Sequence, residues 1–213
     1  MAEIDTGTTG SAGLDGPAPA PRADLVARVL TEVCSPAVIV LLLPVAVAWR
    51  ATHAPGPALG WGVFVALTSS VLPMAGIIAG SRAGWWDGHH VRDREGRLIP
   101  FVLLISLSSL GLGVLVLAGA PRLVVALDVA MLAALLAIGL ITVWWKVSVH
   151  TAVAAGAVAM LAVVYSAWWL LLWGLAAAVG WSRVRLGDHT PAQVVVGAVV
   201  GVLAGAAGYL PTA

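Results

Sequence analysis

The chain alternates between long apolar segments and short polar breaks. Most of the apolar segments run for about 18 residues or more, the length that an α-helix needs to cross a bilayer. They cover residues 30–49, 61–83, 99–118, 123–145, 147–165, 167–181 and 191–210. The pattern predicts an all-α fold, a polytopic transmembrane helical bundle of about six or seven spans.

Tryptophan positions support this segmentation, because indole rings collect at membrane interfaces. Apart from Trp173, every tryptophan lies near the end of a predicted segment. Trp85, Trp86, Trp144, Trp145 and Trp181 fall at one interface, and Trp49, Trp61, Trp168 and Trp169 fall at the other.

The N-terminal residues differ from the rest of the chain. Residues 1–24 are mainly Gly, Ala, Thr, Pro and Asp, with no aromatic residue and no apolar periodicity. This composition predicts a disordered tail. Residues 25–213 are predicted to form the transmembrane bundle.

The composition excludes several classes of protein. Of the 213 residues, 61% are hydrophobic and 10% are charged, whereas soluble domains carry about 25% charged residues. A water-soluble globule, a disordered chain and a nucleic-acid-binding protein are therefore excluded. The single cysteine, Cys34, has no partner for an internal disulfide.

The basic residues are distributed unequally between the two sides of the predicted bundle. One side holds Arg22, Arg28, Arg82, Arg92, Arg94, Arg97, Lys146, Arg183 and Arg185, and the other holds Arg50 and Arg122. The positive-inside rule makes the richer side cytoplasmic. We therefore expect a multi-pass protein of the plasma membrane with this face in the cytoplasm.

Three polar clusters converge on that face, at residues 89–100, 146–150 and 182–193. Two of them stand at predicted helix N-termini, where free N–H groups and the helix dipole favour anions. The clusters combine histidines with guanidinium and ammonium groups. Arginine matches phosphate oxygens, one imidazole can attack phosphorus and another can protonate a leaving group. The pattern favours a site for a phosphate ester. The histidines and acidic residues of these clusters are not spaced like the ligands of a metal site.

Two motifs in these clusters resemble signatures of a known family. Ser182-Arg183, five residues and then His189 resembles the third signature of the type 2 phosphatidic acid phosphatase (PAP2) superfamily. Residues 148–150, Ser-Val-His, are similar to its second signature, Pro-Ser-Gly-His, with valine in place of Pro and Gly.

The stretch 93–97 resembles a degenerate first signature, which has Lys, six residues and then Arg-Pro. Arg97 takes the place of the Arg, Leu98 stands where Pro is expected and His90 where Lys is expected. Arg94 is a further candidate in this stretch. The three motifs occur in the order of the family.

The resemblance implies a helical-bundle phosphatase that works without a metal or another cofactor. It implies that His189 attacks phosphorus and forms a phosphohistidine, and that His150 protonates the leaving alcohol. The phosphate would be held by Arg97, Arg183, Ser148 and Ser182. Lys146 has no counterpart in the signatures, and we hypothesise that it replaces the missing lysine of the first one.

Gln193 is the main departure from the family pattern, which has Asp four residues after the attacking histidine. A glutamine can orient the imidazole but supplies no charge, and Asp188 is a candidate to compensate. Residues 190–193, Thr-Pro-Ala-Gln, also fit a helix capping box. Orientation of His189 and helix capping are both open roles for Gln193.

Two further features lie inside predicted spans. Asp128 is an ionisable residue within the fourth span, which marks a candidate functional group, although a structural hydrogen bond is the favoured interpretation. Gly197, Gly201 and Gly205 recur every four residues and predict close packing within the bundle.

The expected substrate is a lipid phosphate or a prenyl diphosphate, with a charged head and an apolar tail. Besides this substrate, the expected partners are membrane lipids. Two alternatives stay open: a transferase or lyase acting on prenyl diphosphates, and a catalytically silent protein that binds lipid phosphates.

Overall fold

Helices make up the secondary structure of the part of the chain that the structure describes. The computed structural model describes residues 22–84 and 94–208, with the backbone alone for residues 94–100. The α-helices in these ranges are α1 (Arg22–Val33), α2 (Pro36–Thr52), α3 (Pro55–Ala66), α4 (Leu72–Arg82), α5 (Arg94–Leu117), α6 (Arg122–Trp144), α7 (Val149–Val164), α8 (Trp173–Arg185) and α9 (Pro191–Ala207). A π-helical turn, Leu67–Val71, joins α3 to α4, and a 3₁₀ segment, Ala167–Leu172, leads into α8. The described ranges contain no strand, and the all-α prediction is confirmed.

Two continuous helical stretches, Pro55–Arg82 and Arg122–Trp144, are long and apolar enough to cross a membrane. The helices α1 and α2 give a third candidate when they are taken together, with a bend of 44° between them. The apolar stretches Phe101–Leu117, Val149–Val164 and Pro191–Ala207 are shorter. Two or three candidate spans therefore follow from helix length and composition, and the total of six or seven stays a prediction.

The outer surface of the helices is strongly apolar. Leu117 is 90% exposed, Trp168 is 79% exposed and Trp144 is 76% exposed. Exposed apolar side chains of this size are unfavourable in water and typical of contact with lipid. The apolar helices thus fit a membrane protein.

The first predicted span, residues 30–49, is not one continuous helix. The helix α1 ends at Val33, and Ser35 caps α2 with its hydroxyl 3.5 Å from the amide nitrogen of Val38. Pro36 follows as the first residue of α2, a position where its missing N–H costs nothing. The same proline cannot continue a helix from α1. The helix α1 also begins at Arg22, inside the segment predicted as tail, whereas residues 1–21 lie outside the described range.

Close packing of α9 on α7 sets the geometry of the C-terminal half. Three glycines of α9 face backbone carbonyl groups of α7: Gly197 faces Ser148, Gly201 faces Ala152 and Gly205 faces Gly156. A Cβ atom would lie 2.5 Å from the carbonyl oxygen at Gly197 and 2.6 Å from it at Gly205. Only glycine allows this approach, and the predicted close packing within the bundle is confirmed.

The π-helical turn places a hydroxyl against the buried carboxylate of Asp128. Ser69 Oγ donates to Asp128 Oδ1 at 3.1 Å, and Asp128 is 0% exposed. The other oxygen, Oδ2, has no hydrogen-bond partner among the described residues. The favoured interpretation of Asp128, a structural hydrogen bond, therefore agrees with this contact.

Candidate active site

The turn between α8 and α9 places His189. Gly187 adopts a left-handed conformation (φ 72°), which glycine tolerates without a Cβ clash. Its amide donates to the Val184 carbonyl, and the amide of Asp188 donates to the Arg183 carbonyl at 3.1 Å. These two bonds form a Schellman motif, which ends α8. The amide of His189 also donates to the Arg183 carbonyl, at 3.2 Å, so the histidine is fixed directly after this turn.

Gln193 makes both of the interactions that the sequence left open. In the capping box, Thr190 Oγ1 accepts from the Gln193 amide at 3.4 Å and Gln193 Oε1 accepts from the Thr190 amide at 3.1 Å. The same Oε1 lies 3.2 Å from Nδ1 of His189. One side chain therefore caps α9 and orients the imidazole.

This contact decides which imidazole nitrogen is free. The amide oxygen of Gln193 can only accept a hydrogen bond, so His189 Nδ1 must carry the proton. In the neutral ring, Nε2 then keeps its lone pair. Burial lowers the pKa of His189, and the positive charges of Lys146 and Arg183 lower it further. The Gln193 hydrogen bond and the Asp188 carboxylate act in the opposite direction. The net effect favours the neutral, nucleophilic form.

His150 stands in the first turn of α7, close to the same site. Its side chain is partly buried and lies within electrostatic range of His189, Arg183 and Asp188. The backbone supports this placement, because the Ser148 amide donates to the Gln193 carbonyl at 3.2 Å. The starts of α7 and α9 are thus joined directly.

Asp188 lies between two cationic side chains. Its carboxylate oxygen Oδ2 is 2.9 Å from Nη2 of Arg183, whose side chain is 13% exposed. Its backbone carbonyl accepts from Nζ of Lys146 at 2.6 Å. Nε of Arg183 is buried and has no hydrogen-bond partner within the described ranges. The arrangement concentrates positive charge beside His189, which suits an anionic ligand.

The hydroxyls of Ser148 and Ser182 are both fully buried. Ser148 is the N-cap of α7, and its oxygen accepts from the amide and the hydroxyl of Thr151. Ser182 Oγ donates to the Val179 carbonyl at 2.7 Å and lies 3.1 Å from Thr31 Oγ1. The structure therefore places Ser182 at the contact between α8 and α1. Its described hydrogen bonds do not join it to the histidines.

The candidate residues of the first motif are not described at the level of side chains. Arg94 and Arg97 belong to the first turn of α5, where the backbone alone is described. The loop residues His89, His90 and Arg92 lie outside the described residues. Within the described ranges, no group of three or more His, Cys, Asp or Glu residues has a metal-binding arrangement.

Sequence reasoning missed an interior cavity that reaches this site. The cavity has a volume of about 330 Å³ and lies between α2, the π-helical turn, α4, α5, α6, α7 and α9. Its wall is largely apolar and includes His150, Ser69, Ser70 and Ser108. The sequence carries no distinct signal for it, because its lining residues come from six α-helices and the π-helical turn and look like ordinary core positions.

Comparison with known protein families gives a match to the segment that contains the candidate site. The model of the PAP2 superfamily matches residues 126–211, which include Lys146, His150, Arg183, His189 and Gln193. No curated protein and no solved structure matches the chain.

Proposed function

We propose that the chain is a member of the PAP2 superfamily, whose model matches residues 126–211 and whose members are generally phosphatases, and that it hydrolyses a lipid phosphate or a prenyl diphosphate without a metal. The observation that carries the proposal is the contact between His189 and Gln193. It leaves Nε2 of His189 unprotonated, in an environment where Lys146 and Arg183 supply positive charge. A neutral nucleophile beside two cations suits attack on a phosphate anion.

In the proposed reaction, Nε2 of His189 attacks phosphorus and a nitrogen–phosphorus bond forms. The bond from phosphorus to the leaving oxygen breaks, and His150 gives its proton to that oxygen. The negative charge of the incoming phosphate favours the protonated form of His150. Water then loses a proton to His150 and attacks phosphorus, the nitrogen–phosphorus bond to His189 breaks, and inorganic phosphate leaves, which restores both histidines.

Cationic groups and helix ends would hold the phosphoryl oxygens. Arg183 turns from the Asp188 carboxylate to the phosphate, which offers the same type of bidentate acceptor. Lys146 supplies the charge that the first-motif lysine supplies in the family pattern. The N-termini of α7 and α9 present further N–H groups at the same end of the bundle. Arg97 is proposed as an additional clamp from the start of α5.

The membrane arrangement is proposed together with the reaction. The bundle would cross the plasma membrane six or seven times, with the site on the cytoplasmic face. Labelling of an Asp93→Cys variant, in a background with Cys34→Ala, tests this orientation. A membrane-impermeant thiol reagent should label the variant in opened vesicles and leave it unlabelled in intact cells. Labelling in intact cells would place the site outside.

The direct test is phosphate release by purified protein from phosphatidate and from farnesyl diphosphate, with EDTA present. We expect release by the wild type and by His53→Asn, a matched change at an exposed histidine outside the site. His189→Asn should lose release by at least about 10³-fold, as removal of a catalytic nucleophile does elsewhere.

Absence of release by the folded wild type would contradict the proposal. In that case two other functions would be considered, because Gln193 supplies no negative charge to support hydrolysis through His189. Formation of a hydrocarbon or a prenylated product from farnesyl diphosphate would identify a lyase or a transferase. Binding without any turnover would identify a catalytically silent protein for lipid phosphates.

A further inference from the structure

The interior cavity extends from the candidate active site into the middle of the bundle. On α7 its wall begins at Val149 and His150 and ends at Met160. At a rise of 1.5 Å per residue, this part of the helix is about 15 Å long. The helix α6 contributes lining residues from Leu127 to Ile138, and the other helices that border the cavity complete the wall. The cavity is therefore deep along the bundle axis and predominantly apolar.

His150 joins the cavity to the phosphate site. Its side chain belongs to the wall of the cavity, and it also lies within electrostatic range of His189 and Arg183. If His150 protonates the leaving oxygen, as proposed above, the chain attached to that oxygen lies next to a residue of the cavity wall. Sequence patterns assign no role to this cavity.

We propose that the cavity receives the hydrocarbon chain of a single-chain lipid phosphate, so that the chain lies inside the bundle during hydrolysis. This inference rests on the proposed function and narrows its substrate class. It favours a prenyl or alkyl phosphate with one chain over a phospholipid with two chains.

Two estimates of the accommodated chain agree. An apolar cavity of 150 Å³ admits one benzene ring, so a volume of about 330 Å³ holds roughly a dozen carbon atoms. An extended chain advances about 1.2 Å per bond, which also gives roughly a dozen bonds over about 15 Å. A second chain of similar length exceeds this volume.

Chain length should therefore control turnover up to the capacity of the cavity. For short, water-soluble substrates, each methylene buried from water is worth roughly fourfold in binding. Partition of the substrate into the surrounding lipid produces a similar trend without any cavity. A variant that fills the cavity separates the two causes, because it leaves partition unchanged.

Two neighbouring alanines of α6 offer such a pair of variants. Ala134 lines the cavity, whereas Ala133 is exposed on the outside of the same helix. The experiment compares Ala134→Phe with Ala133→Phe in lipid nanodiscs, with a series of n-alkyl phosphates from two to sixteen carbons. Ala157→Leu, a second cavity residue on α7, is the substitute if Ala134→Phe does not fold.

For the wild type and Ala133→Phe, kcat/KM should rise with chain length and level off at roughly twelve carbons. For Ala134→Phe, the rise should stop several carbons earlier, while hydrolysis of the shortest substrates is kept. Identical profiles for the two variants would overturn the cavity proposal and leave the proposed phosphatase function intact.

A binding measurement keeps the inference testable if no alkyl phosphate is hydrolysed, a result that would count against the proposed function. Dodecyl phosphonate should then raise the Tm of the wild type and of Ala133→Phe above the Tm with ethyl phosphonate. Ala134→Phe should show no such chain-dependent increase. An equal increase in both variants, or none in either, would overturn the cavity site.

Discussion

Nδ1 of His189 lies 3.2 Å from Oε1 of Gln193, and the same oxygen accepts the amide proton of Thr190. In the family pattern an Asp stands at this position. The glutamine keeps the orienting hydrogen bond and the helix cap, but it adds no negative charge to stabilise a positively charged ring. The hydrogen bond that orients the proposed nucleophile is thus present, whereas the negative charge that an Asp would supply is absent.

Gln193→Glu should raise kcat for phosphate release. Glutamate preserves the capping box and the acceptor at His189, and its charge stabilises the phosphorylated imidazole. We expect an increase of about tenfold or more, since a change from Asp to Asn beside the catalytic histidine of a serine protease costs about 10⁴. Steady-state kinetics at saturating substrate provide the measurement. Gln193→Leu, which removes both hydrogen bonds, should lower kcat, and an unchanged kcat in both variants would contradict this role.

The pH profile should report the lowered pKa of His189. Because burial and the charges of Lys146 and Arg183 favour the neutral ring, the acid limb of kcat/KM should lie below the ordinary histidine value of about 6.5. Lys146→Gln removes one positive charge, so the limb should move to higher pH. Arg122→Gln, a charge change outside the site, is the control. A limb that stays in place in Lys146→Gln would show that this charge does not act on His189.

Arg183 and Arg185 provide a matched pair for testing the phosphate clamp. Arg183 pairs with Asp188 beside His189, whereas Arg185 pairs with Asp24 on α1. Lysine cannot reproduce the bidentate fork of arginine. Arg183→Lys should therefore lower kcat/KM by about 10- to 100-fold, the range expected for a charged hydrogen bond. Arg185→Lys should leave kcat/KM within about twofold, because exposed ion pairs contribute little.

Gly201→Ala should destabilise the protein. A Cβ at Gly201 would overlap the carbonyl oxygen of Ala152 on α7. Overpacking of this kind costs about 1–3 kcal/mol, and each kcal/mol lowers the Tm by roughly 2–4 °C in a chain of this size. Gly113→Ala is the control, since its Cβ meets no atom within 4 Å. The Tm of the control should stay the same or rise, and equal Tm values for both variants would contradict the packing role of Gly201.

Helix positions were largely predictable because apolar runs and breaking residues are local signals. The predicted segment 123–145 corresponds to α6 (Arg122–Trp144), and the predicted segment 191–210 begins with α9 (Pro191–Ala207). The capping box at Thr190 was also legible from four consecutive residues. The break at Ser35 carried a local signal too, a serine followed by proline, but the long apolar run on both sides concealed it.

The sequence offered the candidate site as a set of motifs, and their geometry came from the structure. The sequence singled out His189, His150, Arg183 and Lys146, yet it left open whether Gln193 caps the helix or orients the imidazole. The answer depends on where Oε1 of Gln193 lies relative to the Thr190 amide and to Nδ1 of His189, and it lies within hydrogen-bond distance of both. The contact between the hydroxyls of Ser182 and Thr31 could not be predicted at all, because these two residues are far apart in the chain.

The sequence by itself determined the helical class, the apolar character of the helices and the candidate residues for phosphate chemistry, because these follow from residue type and short spacing. Only the tertiary structure decided that Asp188 pairs with Arg183, that Asp128 accepts from Ser69, and that a cavity opens beside His150. These features depend on how separate helices pack against each other. Distances between side chains of different helices follow from that packing and are not encoded in any single segment.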